Sequence, residues 1–292
     1  MSAGRVSIDG EVVDSGEARV SVFDRGFLYG DSVFEVYRTY NGVPFAEREH
    51  LERLARSAER LMISVPVSLD VLSAEVRATL DAAGEGDWYV RVLITRGSGP
   101  LTYDLSTATT PLRVIIVAPV SVPPAEYYRK GVAVRLLEAS RPTDDERASG
   151  AKASNYLANL LALHEAKQKG AQEALMLGRS GQILEGASSN IFIVKNGKVR
   201  TPEPQPGILV GITRATVLQA AADAGIEVEE AEVRPEQLYG ADEAFITSSI
   251  REVMPVVSAD GRTIGAGVPG PVTQRLHEGY RRLVSLATAA GV

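Results

Sequence analysis

Four Asn-Gly or Asp-Gly dipeptides punctuate this chain, at Asp9-Gly10, Asn41-Gly42, Asn196-Gly197 and Asp260-Gly261. A two-residue hairpin loop needs positive φ at its central positions, and these pairs adopt it at little cost. Apolar or β-branched residues flank each pair, as in Val36-Tyr37-Arg38-Thr39-Tyr40 before Asn41. Antiparallel strands are therefore expected near both ends of the chain.

Helical spacing fills the intervals. From Glu47 to Met62, Leu51, Leu54, Ala55, Ala58, Leu61 and Met62 share one face. A second helix is expected from Ser68, as cap, to Ala83, stopping at Gly84. Others are expected over Ser154 to Gln168, which carries Leu157, Leu160, Leu161 and His164, over Thr213 to Ala224, and over Gly270 to Leu286. Strands and helices that mix without strict alternation indicate an α/β chain of the mixed α+β kind. Three prolines within Ala118-Pro119-Val120-Ser121-Val122-Pro123-Pro124 cannot continue a central strand or helix. They predict a smaller N-terminal domain over 1–120, a linker over 121–130 and a larger C-terminal domain over 131–292. Ser140 to Gly150 reads as a surface loop.

Composition narrows the function. The 292 residues carry 31 Lys+Arg against 37 Asp+Glu, a formal charge of −6, so nucleic-acid binding has no electrostatic support. With no cysteine, disulfides, thiolate nucleophiles and cysteine metal sites are excluded. His50, His164 and His277 are isolated, so no metal site is expected. The longest apolar run, Val114 to Val120, is interrupted by Pro119 and far too short to span a bilayer. The N-terminus lacks the apolar core of a signal peptide. A cytoplasmic protein is expected.

Only six lysines occur, and five have simple explanations. Lys195 and Lys198 flank a hairpin turn; Lys130, Lys167 and Lys169 end helices, where cations suit the macrodipole. Lys152 lies instead among small residues in Gly150-Ala151-Lys152-Ala153-Ser154-Asn155. It is either a surface lysine or an amine that other groups can approach, as Schiff-base chemistry requires. Glu185, between an apolar pair and Gly186, is either a turn acceptor or a buried partner for a cation. Gly207 to Arg214 opens a helix whose N–H groups could cradle a phosphate or be plainly capped. Thr247-Ser248-Ser249 supplies further donors, or simply forms a turn. Together, an amine, a carboxylate and phosphate donors are the parts of a pyridoxal-phosphate site.

The spaced elements Glu185, Ser189-Asn190-Ile191-Phe192, Thr201 and Leu209-x-Gly211-Ile212-x-Arg214 resemble the signature of the fold-type-IV pyridoxal-phosphate enzymes. That group holds the branched-chain aminotransferases, the D-amino-acid aminotransferases and the aminodeoxychorismate lyases. The resemblance runs over nearly the whole chain. It implies two α/β domains, pyridoxal 5'-phosphate (PLP) as cofactor, amino acids and 2-oxo acids as partners, and a homodimer. By position it assigns Lys152 as the Schiff-base lysine and Glu185 as the acid that keeps the ring nitrogen protonated. Arg53 matches the phosphate-binding arginine; without the family it reads as an exposed helix charge. Ile212, Thr213, Ser248 and Ser249 match the other phosphate donors, and Tyr156 the tyrosine bonded to the ring hydroxyl.

Leu28-Tyr29-Gly30-Asp31-Ser32-Val33-Phe34-Glu35 and Trp88-Tyr89-Val90-Arg91 resemble the branched-chain enzymes. That places Tyr29, Phe34, Tyr89 and Arg91 in the substrate pocket, with Arg91 available to the distal carboxylate of glutamate. The Lys-x-x-Asn order after Lys152 is closer to the D-amino-acid and lyase groups. Leu101 to Leu105, however, lacks the arginine and histidine with which the D-amino-acid group traps a carboxylate. The reading that results is a transaminase moving an amino group between an L-branched-chain amino acid and 2-oxoglutarate. An aminodeoxychorismate lyase and a D-amino-acid transaminase follow as alternatives.

Overall fold

The computed structural model describes residues 4–138, 150–204 and 207–289. These divide into two compact units. One takes in the described residues up to Ser121, the segment Ala151–Asn155 and the described residues from Ala287 onward; the other takes in the described residues of Val122–Gly150 and Tyr156–Leu286. Apart from Gly150, the loop expected over Ser140 to Gly150 lies outside the described residues.

The first unit begins with β1 (Arg5–Ile8) and β2 (Glu11–Asp14), then a short α1 (Arg25–Tyr29). β3 (Ser32–Tyr40), β4 (Val43–Pro44), α2 (Glu47–Arg60), α3 (Leu69–Ala83), β5 (Trp88–Thr95) and β6 (Leu112–Pro119) follow. Among the described residues the strands make one antiparallel sheet in the order β2-β1-β6-β5-β3-β4. The Asp9-Gly10 and Asn41-Gly42 turns have positive φ at both positions, as hairpins of this kind require. Along β5, Trp88, Val90, Val92 and Ile94 are buried, while Tyr89, Arg91 and Leu93 point to the other face. Against the buried face pack Leu51, Leu54 and Ala58 of α2 and Leu72, Val76 and Leu80 of α3. Each large apolar side chain so buried contributes about 1.5–3 kcal/mol. Ser68 Oγ accepts the Val71 N–H to open α3, and Gly84, at φ 86°, closes it.

The second unit comprises α4 (Ala125–Lys130), β7 (Val132–Glu138), α5 (Leu157–Gln168), β8 (Glu173–Leu177), β9 (Ile183–Gly186), β10 (Asn190–Lys195) and β11 (Lys198–Thr201). After these come α6 (Ile212–Asp223), β12 (Val228–Glu230), α7 (Pro235–Tyr239), β13 (Glu243–Ser248), β14 (Glu252–Ala259), β15 (Arg262–Thr263) and α8 (Pro271–Ala289). The described strands form a mixed sheet ordered β12-β11-β10-β13-β14-β7-β8-β9, with β15 paired to β14. β7 and β8 run parallel, and parallel neighbours need a long crossover, which includes α5. Asn190 through Val194 are buried, so β10 is covered on both faces. Ile191 and Ile193 join one core cluster, while on the opposite face Phe192 stacks on Phe245 at 4.8 Å and 8°.

Three local expectations change. α2 ends at Arg60; Met62 lies beyond it at φ 55° and is exposed instead of extending the apolar face. α5 starts at Leu157, not Ser154, and its buried residues are Ala162 and Ala166. Leu157, Leu160, Leu161 and His164 are exposed. Small side chains let α5 lie close to the sheet, beside Ala174 and Met176, and turn the leucines outward. Residues 125–130, placed in the linker from sequence, form α4, opened at Pro124.

Candidate active site

Lys152 sits on the short segment Ala151–Asn155, which is held to the start of β3. Phe34 N–H donates to the Lys152 carbonyl at 3.0 Å, and Ser154 N–H donates to Ser32 O at 3.0 Å. The Lys152 N–H donates to Ser57 Oγ of α2 at 3.1 Å. Close approach of this segment depends on Gly30, at φ 67°, where a Cβ would lie 2.1 Å from Asn155 Oδ1. Lys152 Nζ stands over the Phe34 ring, 4.6 Å from its centroid, and the Arg91 guanidinium stands 4.0 Å from the same centroid. By contrast, Lys130, Lys195 and Lys198 pair with surface acids.

Alternation along β3 turns Glu35 to the face opposite Phe34, toward α2. Glu35 is fully buried and takes two bonds from Arg53, both at 2.6 Å, and one from His50 Nδ1 at 2.7 Å. Burial pushes the Glu35 carboxyl up, but the Arg53 charge and its hydrogen bonds, with those of His50, outweigh this and bring its pKa down to about 2. Burial also lowers the His50 pKa, opposed by the Glu35 bond and helped by the Arg53 and Lys152 charges. Arg53 is only 8% exposed, so the reading as an exposed helix charge does not hold. A carboxylate within the apolar run Val33-Phe34-Glu35-Val36-Tyr37 was the signal that a cation had to meet it. Tyr89 shares the Arg91 face of β5. Tyr29, half-buried at the end of α1, meets Tyr103 at 5.8 Å and the Arg25 guanidinium at 5.0 Å.

In the second unit, Glu185 lies near the end of β9. Its Oε2 accepts the Leu209 N–H at 3.0 Å and Asn190 Nδ2 at 3.4 Å, while Asn190 Nδ2 also donates to Leu209 O at 2.9 Å. Asn190 thus joins the acid to the stretch that opens α6. Gly211 caps that helix, and a Cβ there would lie 2.1 Å from Asn190 Oδ1. No acidic residue occupies the first turn of α6, so the N–H groups of Ile212 and Thr213 keep the positive end of the helix uncompensated by charge on the helix itself. Ser248 closes β13 and Ser249 follows; both are half-buried. Tyr156, also half-buried, is the residue before α5.

The family model for amino-transferase class IV matches residues 32–259. The chain belongs to the class IV aminotransferases. This aminotransferase is 35% identical over 294 residues to the branched-chain-amino-acid aminotransferase of Pseudomonas aeruginosa, covering 98% of this chain and 95% of that one. It is 33% identical over 290 residues to the D-alanine aminotransferase of Bacillus licheniformis, covering 99% and 100%. The branched-chain amino acid aminotransferase of Escherichia coli superposes with a TM-score of 0.89 at 34% identity, covering 96% of this chain and 94% of that chain. The fold is that of fold-type-IV aminotransferases, and the enzyme is a PLP-dependent transaminase. Taken each by itself, the two units offer donor chemistry of the kind the cofactor needs: the first an amine, Lys152, and the second a carboxylate held by Leu209 and Asn190, a helix N-terminus with no acid in its first turn and a pair of serines. Among the described residues no helix is long and apolar enough to cross a membrane.

Proposed function

We propose that this aminotransferase moves the amino group of an L-branched-chain amino acid to 2-oxoglutarate, as a homodimer in the cytoplasm. The observation that carries the substrate reading is the Phe34 ring flanked by Arg91 and Lys152. An apolar ring beside the reacting amine suits an aliphatic side chain. A guanidinium on the same ring suits the distal carboxylate of glutamate. Tyr29 and Tyr89 complete the pocket wall in this reading.

Lys152 Nζ would hold the cofactor through its carbonyl carbon and would be released when a substrate amine takes its place there. The freed Lys152 amine would act as general base on the substrate α-carbon proton and, as general acid, would deliver that proton to the cofactor carbon bonded to the amino nitrogen. Bound PLP supplies an electron-withdrawing ring that stabilises charge developing at that carbon. Glu185, oriented by Leu209 and Asn190, would hold a proton at the ring nitrogen. Tyr156 would bond the ring hydroxyl. The Ile212 and Thr213 N–H groups, Ser248, Ser249 and Arg53 would hold the phosphate, and Glu35 fixes the plane of the Arg53 guanidinium.

The test is a half-reaction screen that follows the visible absorption of bound cofactor. L-leucine, L-isoleucine or L-valine should bleach it, and 2-oxoglutarate should restore it. Bleaching by D-alanine but by no L-amino acid would transfer the assignment to the D-specific group, to which the 33%-identical Bacillus licheniformis enzyme belongs by name. Production of pyruvate and 4-aminobenzoate from aminodeoxychorismate, without bleaching by amino acids, would transfer it to the lyases. The dimer reading rests on Leu157, Leu160 and Leu161, exposed within little more than one turn of α5. Leu161→Glu should halve the mass measured by light scattering.

A further inference from the structure

Within the second unit, the turn that follows Glu185 and the turn that follows Ser248 are fastened to each other. Glu173, on β8, is fully buried. Its Oε2 accepts Ser188 Oγ at 2.8 Å, Ser189 Oγ at 3.0 Å and, in an ion pair, Arg251 Nη1. Arg251 Nη2 donates to Ser188 Oγ at 2.9 Å. Ser188 and Ser189 form the turn between β9 and β10, three and four residues beyond Glu185. Arg251 belongs to the turn between β13 and β14, two residues beyond Ser249.

Both turns are built tightly around this junction. Gly186 N–H donates to Ser189 O at 2.6 Å, and a Cβ on Gly186 would lie 2.1 Å from Ser189 Oγ. Arg251 N–H donates to Ser248 Oγ at 3.3 Å, and the Arg251 carbonyl accepts Tyr128 O–H at 3.0 Å. Glu252, next along the chain, takes φ 55°, a conformation that costs a non-glycine residue free energy. His277 Nε2 and Arg281 Nε of α8 hold its carboxylate at 2.7 and 2.8 Å. An ion pair with one fully buried member adds little stability, since the cost of desolvating the carboxylate offsets the attraction. Its use is to fix one arrangement, and a planar guanidinium with two acceptors fixes direction as well as distance.

We propose that Arg251 is a positioning residue that couples the Glu185 turn to the Ser248-Ser249 turn, so that ring-nitrogen protonation and phosphate anchoring respond to each other. The inference rests on the roles proposed above for Glu185 and Ser249. It is tested by titrating PLP into apoenzyme and recording the pH midpoint of the bound cofactor's visible band. Glu185→Gln and Ser249→Ala should each change the PLP dissociation constant or that midpoint. Coupling between groups in one network is worth roughly 0.5–3 kcal/mol, so in the wild-type background the two changes should depart from additivity by about twofold or more in affinity.

In an Arg251→Lys background the departure should vanish. Lysine keeps a cation against the buried Glu173, so the fold survives, but it cannot bridge Glu173 and Ser188 directionally. Ser188→Ala, which leaves the Arg251–Glu173 pair intact, should remove the coupling in the same way. Strict additivity in the wild type, or coupling unchanged in both Arg251→Lys and Ser188→Ala, would overturn the inference while leaving the site reading in place. No effect of Glu185→Gln or Ser249→Ala on either measurement would overturn the site reading, and this inference with it.

Discussion

The Lys152 backbone is bonded to the side chain of Ser57, one helical turn beyond Arg53 on α2. One face of a single helix therefore carries both a proposed phosphate ligand and a tether of the proposed Schiff-base lysine. That tether is a single hydroxyl acceptor beside the two backbone bonds to β3, so its removal should loosen Lys152 without unfolding the unit.

Ser57→Ala should cost about 0.5–1.5 kcal/mol of stability, the usual net value of one hydrogen bond. It should lower kcat more than it raises KM, because the disturbed group acts in the chemical step. Lys152→Ala should leave a folded protein with transamination nearly abolished. Borohydride reduction of the wild type followed by peptide mapping should place the cofactor label on Lys152; a label on any other lysine would refute the assignment.

Glu185→Gln keeps a carbonyl acceptor for Leu209 N–H and Asn190, so the turn should persist and PLP should still bind. The amide cannot hold a proton at the ring nitrogen. Turnover should fall by about 10²–10³, the order seen when one preorganised electrostatic group is removed. Unchanged turnover in this variant would reduce Glu185 to a turn residue.

Arg91→Ala removes the cation stacked on Phe34 but leaves the ring. The half-reaction with 2-oxoglutarate should slow by about tenfold or more, since charge-assisted hydrogen bonds contribute about 1.5–3 kcal/mol. The half-reaction with L-leucine should change far less. Equal losses in single-turnover measurements would show that Arg91 supports Phe34 and recognises no carboxylate.

Acid should destabilise the first unit through Glu35. Its carboxyl titrates at about 2 in the folded protein, against an ordinary 4.5, so the unfolded chain binds its proton first as pH falls. The stabilisation is complete above about pH 4.5 and is lost progressively toward pH 2, to a limit of about 3 kcal/mol. Glu252 of the second unit, also brought to about 2 by His277 and Arg281 against the upward push of burial, adds a loss over the same interval. Urea unfolding at about pH 5 and about pH 3 should show the drop. Glu35→Gln should lower stability at neutral pH, because Arg53 loses its partner, and should shrink the difference between the two pH values.

The local grammar of this protein was present in its sequence. Each Asn-Gly and Asp-Gly pair makes the turn its φ preferences dictate. Ser68 and Gly84 bound α3 because a hydroxyl cap and an achiral residue act within a few bonds of where they stand. The signature elements around Glu185 and Gly211 were legible because backbone N–H groups and a carboxylate must be spaced to suit one ligand. Tertiary structure decided what depends on partners distant in the chain. The burial of Arg53 follows from Glu35, eighteen residues earlier and on another element. Leu157, Leu160 and Leu161 face outward because Ala162 and Ala166 allow α5 to approach the sheet, a choice helical periodicity alone does not make. The Arg251–Glu173 pair joins residues 78 positions apart, and no local preference announces it. A sequence states what each segment can do by itself; which side chain ends beside which charge is fixed only when strands and helices pack, because electrostatic and packing energies depend on distance through space and not along the chain.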